Sequence, residues 1–142
     1  MKKFIAFIKK VYTNIIFINF FPVILVNLLF LLFWILEIDD LKLMSLPFNA
    51  MVTPIYLVTI NLYIKTSEKS SIFLRILFMI IGCLIGIGSD YFSWGITGGN
   101  FRNPDWGTVI LFKLGLFVQA VILTLGIISK IITTAIFQNK SK

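Results

Sequence analysis

Few side chains in this 142-residue chain are equipped for reactive chemistry. Asp90 is the most isolated carboxylate, set in the apolar and glycine-rich run Ile-Gly-Cys-Leu-Ile-Gly-Ile-Gly-Ser-Asp that begins at Ile81. An ionisable group inside an apolar segment is a functional hypothesis by default, as a proton carrier or an ion ligand. Its structural alternative is an interfacial ion pair with Arg102 or Lys113, and the sequence favours that pairing because Asp90 stands near the end of its apolar run. Glu37, Asp39 and Asp40 form a second acidic group. They lack the glycine and closing glutamate of a calcium loop and read as a solvated rim. Histidine is absent and Cys83 is the single cysteine. These counts remove disulfide frameworks, most zinc sites, His-ligated haem and the His-dependent hydrolases. Cys83 reads as a small packing residue. No nucleophile, base and orienting group can be assembled, so the chain is expected to be no enzyme and to need neither cofactor nor metal.

The elements that carry these groups are apolar. Hydrophobic residues make up 58% of the chain and charged ones 13%, with a mean hydropathy of +0.98. A soluble domain of this size leaves too much surface exposed to hide that composition, whereas a bilayer buries it. The expected fold is an all-α integral membrane protein: one domain, residues 1–142, of four transmembrane helices in a compact antiparallel bundle. The spans fall at about 11–36, 45–64, 72–92 and 108–137. The first is free of charge over 26 residues, against the roughly 20 needed to cross the hydrocarbon. That run is too long for the core of a signal peptide. Before it, Lys2, Lys3, Lys9 and Lys10 share one side of a short amphipathic segment with Phe4, Phe7, Ile8 and Val11 largely opposite, an interfacial anchor.

Polar residues inside the spans are expected to face other helices. Asn19 and Asn27 lie eight apart on one face of the first span. Asn61 and Gln119 supply amides on the second and fourth, and all four read as interhelical glue. Pro22 and Pro54 interrupt their helices and require neighbours to satisfy the carbonyls they free. Gly82 and Gly86 have the small-xxx-small spacing that brings helix backbones together, and Gly88 continues the thin stretch.

Orientation follows from charge. The N-terminus, the connection at Lys65–Ser71, Arg75 and the C-terminal end carry ten basic residues against Glu68. The opposite side carries Lys42, Arg102 and Lys113 against Glu37, Asp39, Asp40, Asp90 and Asp105. Basic residues collect on the cytoplasmic side, which gives an N-in/C-in topology in an inner membrane. The net charge of +7 is thereby a topology signal, not a nucleic-acid footprint. The Gly/aromatic-rich connection between the third and fourth spans, 93–107, then lies outside. Asp90, Trp94, Phe101, Arg102, Asp105 and Trp106 are its candidate contact residues, since aromatic anchors supply contact area at low entropic cost.

The bias toward Ile, Phe, Lys and Asn points to A/T-rich bacterial coding. The function expected from these features is non-enzymatic. It is contact with the lipid bilayer and with another membrane protein or a second copy of the chain, as in toxin-immunity proteins or membrane components of phage defence. A small homo-oligomeric channel, holin or transporter is the alternative.

Overall fold

The computed structural model describes residues 14–64 and 71–140, the side chains of residues 139 and 140 excepted. The expected amphipathic segment and most of the Lys65–Ser71 connection lie outside them. The described residues form a helical bundle with four helices long and apolar enough to cross a membrane, so this is a multi-pass membrane protein.

Helix α1, Ile15–Ile35, starts where Asn14 caps it. The Asn14 Oδ1 accepts from the amides of Ile16 at 3.0 Å and Phe17 at 3.4 Å, so this asparagine satisfies orphan amides of the first turn. At the other end the Ile38 amide reaches the Phe33 carbonyl at 3.1 Å and the Glu37 amide the Trp34 carbonyl at 3.3 Å. This double closure requires a left-handed residue at Glu37, whose φ is +54°. Glycine is the usual choice there, and a glutamate accepts the steric cost.

Helix α2 is continuous over Asp39–Tyr63 and is a composite. Short α segments, Asp39–Leu43 and Ser45–Pro47, lead into a π-helical turn at Phe48–Val52. An α segment follows at Thr53–Val58 and a second π turn at Thr59–Tyr63. The acidic rim expected between the first two spans is therefore helical from Asp39 onward. Its carboxylates at Asp39 and Asp40 occupy a first turn, where they meet the positive end of the helix dipole.

Helix α3, Ile72–Ile96, is capped by the Ser71 hydroxyl, which accepts from the Leu74 amide at 3.2 Å. It runs four residues beyond the expected end at 92. Ser89, Ser93 and Thr97 return their hydroxyls to the carbonyls four residues earlier, at 2.7–2.8 Å. These hydroxyls are thus satisfied within their own helix in an apolar surrounding. Gly95 is held inside α3 with the Phe101 ring against its bare face, where a Cβ would stand 1.7 Å from the ring. Helix α4, Trp106–Lys140, is capped by Asp105.

The second span is the hub. Of its most apolar window 44% is buried inside the protein, against 33% for α1, 28% for α3 and 11% for α4. Its greater polarity has that cause: its side chains meet protein more often than lipid. Leu57 of α2 and Met79 of α3 are fully buried, with Val23, Val58, Leu62 and Cys83 around them. The outward faces carry Leu25, Leu28, Leu32, Phe117, Leu125 and many similar residues, as a lipid-facing surface must.

Candidate functional site

Asn49 joins all four helices. It lies in the first π turn of α2 and is fully buried. Its Nδ2 donates to Asn27 Oδ1 of α1 and to Asp90 Oδ2 of α3, each at 2.8 Å. Its Oδ1 accepts from Asn27 Nδ2 at 3.3 Å and from the Thr53 hydroxyl at 3.0 Å. Two donors and two acceptor positions exhaust an amide's capacity. Its backbone carbonyl accepts from Gln119 Nε2 of α4 at 2.9 Å.

That last bond follows from the local fold. In a π turn the carbonyl of Asn49 would pair with the amide five residues on, and residue 54 is proline. Pro54 has no amide hydrogen, so the carbonyl is orphaned and Gln119 takes it. Gln119 Nε2 also reaches the Cys83 carbonyl, at 3.2 Å. Pro22 has the same effect in α1. It orphans the Ile18 carbonyl, and the Tyr56 hydroxyl donates to that oxygen at 2.7 Å. The second π turn contains Asn61, whose carbonyl accepts from Arg75 Nη1 at 2.9 Å.

A second amide pair lies nearer the start of α1 and the end of α2. Asn19 and Asn61 exchange bonds between their side-chain amides. Asn19, Asn27 and Asn61 also donate to their own i−4 carbonyls, at 2.7–2.8 Å. Among the described residues no buried side-chain nitrogen or oxygen lacks a partner. A bilayer enforces such closure, since it offers no water to an unpaired group.

Asp90 is 2% exposed. Its bond to Asn49 replaces the ion pair expected with Arg102 or Lys113. Among the described residues the ion pair joins Lys42 to Asp39, in the short segment that opens α2. The α3 helix turns Asp90 inward, on the face shared by Gly82, Gly86 and Ser93, all buried. Asp90 also walls a cavity of about 350 Å³ with Trp34, Lys42, Ser45, Trp94 and Phe112. Trp34 and Trp94 wall a second hollow of about 410 Å³ as well, whose other side is the connection from Thr97 to Asp105.

The remaining expected site residues separate by role. Gly82 and Gly86 make room for α2: a Cβ would meet Leu57 at 2.7 Å and Asn49 Oδ1 at 2.8 Å respectively. Gly88 does not share that face and meets open space. Phe101 packs on Tyr91 and Trp94, with ring centroids at 5.6 and 6.3 Å. Trp94 in turn covers Gly99. Asp105 serves as a cap, its Oδ1 accepting from the Thr108 amide at 2.8 Å and its Oδ2 from the Thr108 hydroxyl at 2.7 Å. Those bonds, the amide first, lower its pKa below the ordinary carboxylate value. Arg102 is exposed, its backbone amide held by Asn100 Oδ1 at 3.0 Å. Trp106 is 82% exposed and is the most open aromatic ring at this end.

Asn49, Ser45 and Thr53 were not legible as members of the site. Asn19 and Asn27 on one face of α1 ask for two amide partners, and Asn61 answers one of them. Asn49 was the second amide in reach, masked by its place just after Pro47. Comparison with family models, curated proteins and solved structures gives no match, and the site rests on its own geometry.

Proposed function

We propose that this chain is a non-enzymatic protein of the bacterial inner membrane that acts through contacts of its helices and of the end containing Trp34, Trp94 and Trp106. Its helices run antiparallel, N-in/C-in, with the 97–105 connection outside. The partner is another membrane protein or a second copy, in the manner of toxin-immunity proteins and membrane components of phage defence. The observation that carries the reading is the closure of the interior. Asn49, Asn27, Asn19, Asn61 and Gln119 spend their bonds on one another, on Asp90 and Thr53, and on backbone carbonyls. No unsatisfied polar row remains among the described residues to guide an ion between the helices. Exposed groups collect instead at one end, where Trp106, Arg102 and the open half of the Phe101 ring face outward.

The alternative, a homo-oligomeric channel, holin or transporter, draws on α4, of which 11% of the most apolar window is buried. Such an assembly would use the outer face of α4, because α2 already occupies Gly82 and Gly86.

Deletion of the gene, followed by challenge with membrane-active toxins and phage, tests the proposal. Survival should fall on deletion, return with the wild-type chain and fail to return with a Phe101→Ala/Arg102→Ala/Trp106→Ala chain that still reaches the membrane. Full rescue by that triple variant contradicts the contact surface. A cysteine placed at Gly98 should be labelled from outside intact cells, and protection there would overturn the orientation.

A further inference from the structure

A carboxylate that pairs with no cation among the described residues walls an aromatic cavity. Asp90 is buried, and one of its oxygens accepts from Asn49. Arg102 and Lys113 make no ion pair with it, and Lys42 on the same cavity spends its ammonium on Asp39. A buried carboxylate charge is costly until a cation or several donors compensate it. The surrounding walls are suited to an organic cation. Trp34, Trp94 and Phe112 contribute ring surface, and leucines and Pro47 make the rest of the lining mostly apolar. Trp34 already presents its ring to an ammonium, with Lys42 Nζ 5.8 Å from its centroid. Rings and a carboxylate together are the chemistry that recognises alkylated ammonium groups. A volume of about 350 Å³ is at the lower end of small-ligand sites, which span about 300–1,000 Å³.

We propose that the cavity beside Asp90 binds an organic ammonium with an apolar body, its cation against the Asp90 carboxylate and its hydrocarbon among Trp34, Trp94 and Phe112. The shared chemistry has two sources, the amine headgroup of a lipid and a free cationic amphiphile. Lys42 does not repel the ligand, because Asp39 neutralises it. The neighbouring hollow beside Trp34 and Trp94 gives the amphiphile room to extend toward the Thr97–Asp105 connection. Binding here requires neither a protein partner nor a particular orientation, so its outcome is separate from that of the survival experiment.

The test uses the full chain in uncharged micelles. Tryptophan fluorescence is titrated with dodecyltrimethylammonium and, in parallel, with uncharged dodecyldimethylphosphine oxide. The cation should bind saturably and the neutral probe should not match it. Asp90→Asn keeps an acceptor for Asn49 and should weaken the cation at least about tenfold, because it removes the opposite charge beside a quaternary ammonium that has no hydrogen to donate. Trp34→Leu, which leaves Asp90 intact, should weaken it too. Added phosphatidylethanolamine that competes, where phosphatidylglycerol does not, assigns the headgroup as the source. Cation binding without that competition assigns a free amphiphile. Equal affinity for the two probes on the wild-type chain overturns the proposal, whether or not the variants fold. So does unchanged cation affinity in a folded Asp90→Asn chain.

Discussion

The Tyr56 hydroxyl stands 2.7 Å from the Ile18 carbonyl, the oxygen that Pro22 leaves without its helical partner. Gln119 and the Asn49 carbonyl repeat the relationship at 2.9 Å, with Pro54 as the cause. Each proline thus creates an acceptor inside an apolar bundle, and a side chain from another helix fills it. The prolines and their partners form interhelical contacts that a straight helix has no means to offer.

Double-mutant cycles test this coupling. Tyr56→Phe should destabilise the protein by about 1–2 kcal/mol, the range for a buried acceptor stranded in a membrane bundle. Pro22→Ala restores an amide to the Ile18 carbonyl, so the same tyrosine substitution should cost much less in that background. Gln119→Leu and Pro54→Ala should show the same dependence at Asn49. Thermal or denaturant unfolding in detergent reads both cycles, and strictly additive effects would contradict the assignment.

The glycines of α3 should differ in their tolerance of alanine. Gly86→Ala drives a methyl group to 2.8 Å from Asn49 Oδ1, and Gly82→Ala drives one to 2.7 Å from Leu57. Asn49 has no freedom to retreat, because all its bonds are made. Leu57 is the end of a flexible side chain and can shift. The expected order of lost stability is Gly86→Ala above Gly82→Ala, with Gly88→Ala near zero because open space surrounds it. Overpacking of this kind costs about 1–3 kcal/mol. Equal melting of the Gly86 and Gly88 variants would contradict the packing.

How much of this was legible from the sequence depends on the interaction. The spans were readable because length and hydropathy are local properties. Asn19, Asn27, Asn61 and Gln119 were readable as buried amides because a bilayer leaves them no other place. Their partners were not, since pairing depends on the register between helices, and two π turns shift that register within α2 without any composition signal. The glycines around Gly95 suggested a loop, yet α3 continues to Ile96 because the Phe101 ring packs on Gly95. Asp90 was readable as the unusual carboxylate, and its neutral partner Asn49 was not.

Acid should loosen the start of α4. The Thr108 amide and hydroxyl hold Asp105 below its ordinary pKa. A lowered folded-state value means that the unfolded chain binds the proton more readily. The capping contribution is therefore complete above the ordinary value of about 3.9 and is lost as pH falls through the folded one. Amide exchange at Gly107 and Thr108 should rise in that window, relative to the middle of α4. Asp105→Asn, which keeps a capping oxygen but has no proton to gain, should abolish the pH dependence. A dependence that survives in that variant would contradict the assignment.

Ion and proton flux through proteoliposomes containing the purified full chain tests the closed interior most directly. A bundle whose buried amides are consumed by one another should leave the vesicles as tight as protein-free ones, with wild-type and Asp90→Asn chains alike. Flux that the wild-type chain supports and Asp90→Asn abolishes would contradict the account and make Asp90 part of a conducting path.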